Sequence, residues 1–289
     1  MTDKEHESPQ LTQDIEPMNV WYSRPFDVHT WSDHPEINEL VEEVYEDFSD
    51  DQKGSIKGKS KNKGRASGKT HLKVLLIDLY VAWKTDPALS IGIPLGNSAY
   101  SVKSRYNALH ISSRIRDIVS ILETEDYIEI RKGSHNRTGS GRGNRNTRMK
   151  ASKRLRDMFS EINLETYELD LHHKQESIIL KDLDIDEYGE PIKRKGKAQS
   201  KEIEYEDTPQ IVTMRENLTA YNQLLAETYI DVVSLKEPCI KREKKNGETQ
   251  TIPIDQTNKF VRRIFSRGSW NNNGRYYGGW WQQIDKSYR

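Results

Sequence analysis

Residues 111–151 decide the fold that this sequence predicts, and they read ISSRIRDIVSILETEDYIEIRKGSHNRTGSGRGNRNTRMKA. Apolar side chains recur three and four residues apart over 111–124, and this spacing predicts a helix. The alternating run 127–130 predicts a strand. The glycine- and arginine-rich stretch 133–146 predicts a long loop, and 147–151 predicts a strand that returns beside the first.

Two further helices are expected before this stretch. Residues 33–48 and 70–84 both place apolar side chains on one helical face. A loop-rich segment then follows, in which we expect a short helix near 100–107. The order of three helices, a strand, a long basic loop and a strand is typical of a winged helix-turn-helix domain, which we expect over 70–162.

The remainder of the chain is more polar. We expect a helix over 211–235, a charged hairpin that turns at Asn246-Gly247, and a short basic helix over 257–267. The predicted fold class is α+β and mainly helical, with a winged helix-turn-helix domain, a small C-terminal α/β segment and polar linkers. The expected divisions are an acidic N-terminal segment with one helix (1–50), a basic flexible linker (51–69), the winged-helix domain (70–162), a polar linker (163–210) and a C-terminal helical, aromatic and basic region (211–289).

The composition favours small cores rather than one large core. Hydrophobic residues make up 34% of the chain and charged residues 31%, and the mean hydropathy is -0.90. No apolar run is long enough to span a membrane, so we expect no membrane partner. The N-terminus lacks the pattern of a secretory signal. The single cysteine, Cys239, excludes an internal disulfide, and we expect a cytoplasmic protein.

Charge is strongly segregated along the chain, although the formal net charge is zero. Residues 1–51 carry fifteen acidic and two basic side chains. Residues 53–69 carry seven basic side chains, residues 131–156 carry ten, and neither stretch contains an acid. Basic blocks of this kind are typical of nucleic-acid contacts or of solvated arms.

The basic loop lies where the wing of a winged helix would contact phosphates, and the helix before it would enter the major groove of DNA. We therefore expect duplex DNA as the partner. The other interpretation is a small α/β domain with an exposed charged hairpin. The candidate contacts of this region are Arg114, Arg116, Arg137, Arg142, Arg145, Arg148 and Lys150.

The C-terminal segment interleaves aromatic residues with arginine and glycine. Residues 260–289 hold eight of the twenty-five aromatic residues of the chain. Such a segment can stack on unpaired bases, so a single strand is a second candidate ligand. It can equally pack against a partner protein or a catalytic chain. The candidate residues are Arg275, Tyr276, Trp280 and Trp281.

No complete catalytic motif is present. The stretch 64–70, GRASGKT, lacks the spacing of a phosphate-binding loop and the apolar strand that should precede it. The eight histidines are scattered, without metal-ligand spacing. We therefore expect no cofactor and no metal, and a chain that binds rather than catalyses.

Two stretches carry a resemblance to a known family. The runs Arg262-Arg263-Ile264-Phe265 and 274–284, GRYYGGWWQQI, resemble a poorly characterised protein family of phages, plasmids and bacterial genomic islands. Upstream, Asp78-Leu79-Tyr80, Trp83, Asp86-Pro87 and 105–109, RYNAL, are similar to the same family. The resemblance covers most of residues 20–289.

Longer members of this family continue into an acidic segment that is similar to the metal-binding palm motif of template-dependent polymerases. The resemblance implies a replication-type protein of a mobile genetic element. This sequence ends at Arg289, before any such motif, so no catalytic residue is carried over. The alternatives are the N-terminal fragment of a polymerase-like enzyme whose catalytic half lies elsewhere, and a protein-interaction adaptor.

Overall fold

The computed structural model describes residues 18–19, 22–57, 66–96, 99–100, 103–134, 145–194, 196–237, 239–243, 247, 249–282 and 284. Helices make up 34% and strands 25% of these residues. The fold is therefore α+β, and our expectation of a mainly helical protein is wrong. Across the same residues, no helix combines the length and the apolar character that a bilayer crossing requires.

The first half builds a four-stranded sheet against helices. The strands follow the order β1-β2-β4-β3, in which β1 and β2 are parallel and the other neighbours are antiparallel. The elements are β1 (Ser23–Pro25), α1 (Pro35–Glu46), α2 (Asp50–Ile56), α3 (Gly68–Thr85), β2 (Ser90–Ile93), α4 (Ile115–Thr124), β3 (Ile128–Arg131), β4 (Thr147–Ala151) and α5 (Lys153–Ser160).

Helix α3 is the centre of this half. The Ser67 hydroxyl caps it by accepting the backbone N–H of Thr70 at 3.0 Å, and Pro87 follows shortly after its end. Its side chains from Leu72 to Ala82 are buried almost without interruption. A helix that is apolar on most of its faces must be covered on most of them, and here α1, α4 and strand β4 contact it.

The expected winged helix-turn-helix is also wrong. The helix, hairpin and flanking strands of 111–151 do form, but the described residues between β2 and α4 contain no helix. Residues 103–110 form turns instead. The Asn107 side chain fixes one of them, because its amide donates to the Ile111 carbonyl oxygen at 2.7 Å and accepts from the Ile111 N–H at 2.9 Å. In addition, β1 and β2 extend the β3–β4 hairpin into a four-stranded sheet, which is larger than a wing.

The second half contains a four-stranded sheet in the order β12-β11-β5-β8, with α6 packed on it. Two small hairpins, β6–β7 and β9–β10, complete it. The elements are β5 (Ile178–Leu183), β6 (Lys193–Arg194), β7 (Lys197–Ala198), β8 (Ser200–Glu202), α6 (Pro209–Glu227), β9 (Cys239–Glu243), β10 (Thr249–Pro253), β11 (Val261–Ser266) and β12 (Ser269–Gly278).

Two expectations for this half have clear outcomes. The predicted charged hairpin is confirmed by the antiparallel pairing of β9 with β10, whereas Asn246 of its expected turn lies outside the described residues. The predicted helix over 257–267 is wrong, because Val261–Ser266 forms strand β11. The segment predicted as a polar linker, 163–210, supplies β5, whose Ile178 and Leu180 are buried in the middle of the sheet.

Candidate nucleic-acid interface

A groove runs between α4 and the hairpin formed by β3 and β4, and we call it the basic groove. Its volume is about 480 Å³. Its apolar lining comes from Leu95, Val119 and Ile130. Among the described residues, its charged lining consists of three cations and one carboxylate, which are Arg116, Lys132, Arg145 and Glu123.

Helix packing places one of the three cations. The buried stripe of α4, with Ile115, Ile118 and Leu122, faces the core. Arg116 lies beside this stripe and lines the groove. Its Nε also donates to the Ser113 carbonyl oxygen at 3.3 Å, which ties the side chain to the first turn of the helix.

The hairpin places the other two cations. Its arms meet beyond the regular ladder, where the Arg145 N–H donates to the Ser134 carbonyl oxygen at 2.9 Å. A Cβ on Gly133 would lie 2.1 Å from the carbonyl oxygen of Arg145, so only glycine permits this close approach. Lys132 and Arg145 therefore face one groove from opposite arms of the hairpin.

Positive charge is concentrated where the regular β3–β4 ladder meets the loop of the hairpin. The pKa of the Arg148 guanidinium is lowered, first by burial and then by the positive charge of Arg145. Arg148 donates to the Ser23 hydroxyl at 2.8 Å and to the Asn146 carbonyl oxygen at 2.6 Å. Like charges at close range repel each other, and a bound anion would relieve that repulsion.

Two further predicted contacts, Arg114 and Lys150, also have partners inside the fold. The Arg114 guanidinium donates to the Ala66 carbonyl oxygen at 2.7 Å, which joins the segment before α3 to the start of α4. Lys150 is 8% exposed and pairs with Glu129 at 3.1 Å across the β3–β4 ladder. Arg137 and Arg142 lie outside the described residues.

The predicted aromatic residues separate into buried and accessible ones. Trp280 is 2% exposed and packs with the isoleucines of the β9–β10 hairpin. Tyr276 is 56% exposed and Trp281 is partly buried, and both line a second groove between α6 and the β11–β12 pair. Arg275 is exposed on β12.

Gly279 determines where the second tryptophan ring lies. Its φ angle is +77°, and a Cβ there would lie 2.4 Å from Cζ2 of Trp281. The ring therefore covers the backbone of Gly279, in space that any side chain would fill. Two adjacent tryptophans consequently have different surroundings, one in a core and the other on the wall of a groove.

Sequence reasoning missed a buried charge cluster that joins the two halves. Arg24 on β1 pairs with the fully buried Asp78 on α3 and donates to the Thr257 hydroxyl at 3.2 Å. Burial raises the pKa of Asp78 to about 7, although the Arg24 charge opposes that rise. Perturbed carboxylates often mark functional sites, but structural ion pairs have the same signature. Because both side chains are enclosed, we assign the cluster a structural role.

Comparison of the chain with protein-family models, with curated proteins and with solved structures found no match. The resemblance to a family of mobile genetic elements therefore stays a prediction. The geometry of the two grooves carries the functional argument.

Proposed function

We propose that the protein binds nucleic acid, with duplex DNA as its first ligand, through phosphate contacts made by the basic groove. One observation carries the proposal. Arg116 from α4 and two cations from opposite arms of one hairpin, Lys132 and Arg145, line the same groove, where the described residues supply one carboxylate. Guanidinium and ammonium groups in one concave surface suit the spaced negative charges of a phosphate backbone.

The surrounding sequence supports this choice of ligand. Residues 131–156 contain ten basic side chains and no acid. The described residues of this stretch belong to the arms of the hairpin and to the start of α5. A field of one sign attracts a polyanion more strongly than it attracts a small neutral ligand. Phosphate contacts carry no sequence information, so the proposed binding tolerates many DNA sequences.

Contact with DNA is consistent with the cytoplasm that the single cysteine favours. The resemblance to proteins of phages, plasmids and genomic islands would make replication of a mobile genetic element the process in which this binding acts.

Charge reversal in the groove tests the proposal. Fluorescence anisotropy with a labelled duplex should show binding by the wild-type chain and a strong loss for the double variant Arg116→Glu/Arg145→Glu. The matched control is Lys197→Glu, which reverses an exposed charge on the separate β6–β7 hairpin. An equal loss in the control, or full binding by the double variant, would refute the basic groove as the site.

A further inference from the structure

The second groove has a different character, and we call it the aromatic groove. It lies between α6 and the β11–β12 pair and has a volume of about 420 Å³. That volume falls in the range of about 300–1,000 Å³ that is usual for small-molecule sites. The lining residues that matter most are Met214, Leu218, Tyr221, Arg263, Tyr276 and Trp281.

Arg263 is an unusual residue for its position. Val261 and Phe265 on the same strand are 4% and 3% exposed and pack with α6. Side chains alternate along a strand, so Arg263 lies between them on the side that faces α6. Its Nε donates to the Gly274 carbonyl oxygen at 3.1 Å and its Nη1 to the Met214 sulfur at 3.1 Å. Neither partner carries a charge.

A cation on the core side of a sheet is costly unless an anion or a ligand compensates it. Within the described part of the chain, no carboxylate lines the aromatic groove. Aromatic rings supply part of the compensation, because the Arg263 guanidinium carbon lies 5.0 Å from the Phe265 ring centroid and 5.6 Å from that of Tyr276. The guanidinium thus remains suited to a bound anion.

The walls of the groove present aromatic surface to solvent. Tyr276 is 56% exposed and Tyr221 is 48% exposed. Trp281 lies over the backbone of Gly279 and is only partly buried. Exposed aromatic faces beside a cation are the combination that binds unpaired bases, because every base has a face that can stack.

We propose that the aromatic groove binds one unpaired nucleotide of a nucleic-acid strand, with its base against Tyr276 and Trp281 and its phosphate on Arg263. This inference rests on the proposed function and adds a contact that the basic groove does not make. Base pairs inside a duplex hide their faces, so the site selects a single-stranded segment or a displaced base. A purely apolar ligand would leave the Arg263 charge without an anion.

The ladder between β11 and β12 provides a matched pair of variants. Tyr276 lies opposite Arg263, whereas the next residue, Tyr277, lies opposite Arg262. Adjacent residues of a strand point to opposite faces, so Tyr277 is a control with the same chemistry outside the groove. Both tyrosines are exposed, at 56% and 43%, so Tyr276→Leu and Tyr277→Leu should both fold.

The test compares a short labelled oligothymidylate with an abasic strand of the same length, by anisotropy at constant salt. The wild-type chain should bind the strand with bases more tightly, by roughly 5- to 150-fold for one stacked base. Tyr276→Leu should remove most of this difference, and Tyr277→Leu should preserve it. Equal binding of the two strands by the wild-type chain, or equal effects of the two variants, would overturn the inference.

Two further arms separate the possible failures. Arg116→Glu/Arg145→Glu should weaken both strands equally and preserve the preference for bases. Binding of a labelled duplex by the same variant reports on the proposed function separately. If the variant binds the duplex as the wild type does, the proposed function fails, while the preference for bases still reports on the aromatic groove. Thymidine monophosphate should bind far more weakly than the strand, and equal affinity would overturn the assignment to a strand in favour of a free nucleotide.

Discussion

The guanidinium of Arg105 lies over the ring of Tyr205, with its central carbon 3.7 Å from the ring centroid. The same guanidinium donates to the Tyr205 carbonyl oxygen at 2.7 Å and to Asp207 at 3.0 Å. Arg105 belongs to the loop before α4, and Tyr205 belongs to the segment that enters α6. This contact therefore fastens the first half of the protein to the second, and it holds the loop in turns where a helix was expected.

Removal of the Arg105 side chain should lower the stability of the whole protein. Arg105→Ala should lower the free energy of unfolding by about 1.5–3 kcal/mol, the usual range for hydrogen bonds to charged groups. Urea denaturation would measure the change. Arg105→Lys should recover only part of the loss, because an ammonium group cannot form the same forked contacts. A wild-type midpoint for Arg105→Ala would show that the contact does not couple the halves.

His71 predicts a pH dependence of stability. Its Nε2 accepts the Ser112 N–H at 2.9 Å and its Nδ1 donates to the Ser67 carbonyl oxygen at 2.7 Å, so the fold requires the neutral ring. Burial lowers the pKa of His71 from 6.5 to about 4. Above pH 6.5 the ring is neutral in both states and its full contribution to stability is present.

As the pH falls from 6.5 towards 4, the unfolded chain binds a proton that the folded chain excludes, so stability declines. The contribution of this residue has a limiting slope of about 1.4 kcal/mol per pH unit. His71→Gln cannot take up that proton, so its unfolding free energy should fall less steeply with acidification. Urea denaturation across this pH range would show the difference, and parallel curves for the two proteins would contradict the assignment.

Asn222 joins α6 to the sheet. Its amide donates to the Val261 carbonyl oxygen at 2.9 Å and accepts the Val261 N–H at 2.7 Å. Asn222→Ala should lower the unfolding free energy by about 1–3 kcal/mol, because both backbone groups lose their partner in a buried place. Asn217→Ala, on an exposed position of the same helix, should change it by less than about 0.5 kcal/mol. Similar losses of stability for the two variants would show that the hydrogen bonds between Asn222 and Val261 do not stabilise the fold more than an exposed side chain does.

Gly279→Ala should displace the Trp281 ring. The added methyl group would occupy the ring's position and would also force a left-handed backbone conformation. Gly189→Ala is the control, because its φ angle is +81° and a Cβ there meets nothing within 4 Å. Near-UV circular dichroism should change for Gly279→Ala and stay as in the wild type for Gly189→Ala. Identical spectra for all three proteins would contradict the position of the ring.

The spacing of apolar residues predicted an element correctly where that spacing fits a helix or a strand but not both. Helices α1 and α3 formed as expected, because their apolar residues repeat at helical spacing over three turns or more. The segment that forms strand β11 fits the pattern of a helix as well as that of a strand. Phe260, Ile264 and Phe265 match a helix, whereas Val261 and Phe265 match a strand, and a run of six residues cannot distinguish the two.

The sequence alone identifies only some of the residues that line the two grooves, because tertiary contacts decide the rest. Composition marked the basic hairpin, but local sequence does not show that Lys150 pairs with Glu129 across the ladder, whereas Lys132 lines the groove. Trp280 and Trp281 are neighbours with similar propensities, and only tertiary packing separates a core residue from a groove wall. Arg263 lines the aromatic groove because β11 is a strand, and the sequence pattern alone does not show this.

The central claim is that the basic groove neutralises phosphates, and the salt dependence of duplex binding tests it most directly. Each phosphate contact that is lost should reduce the slope of log K against log salt concentration by about one. We predict this reduction for Arg116→Gln and for Arg145→Gln, and the wild-type slope for Lys197→Gln. Slopes that are the same for all four proteins, or duplex binding that does not respond to salt, would contradict the account.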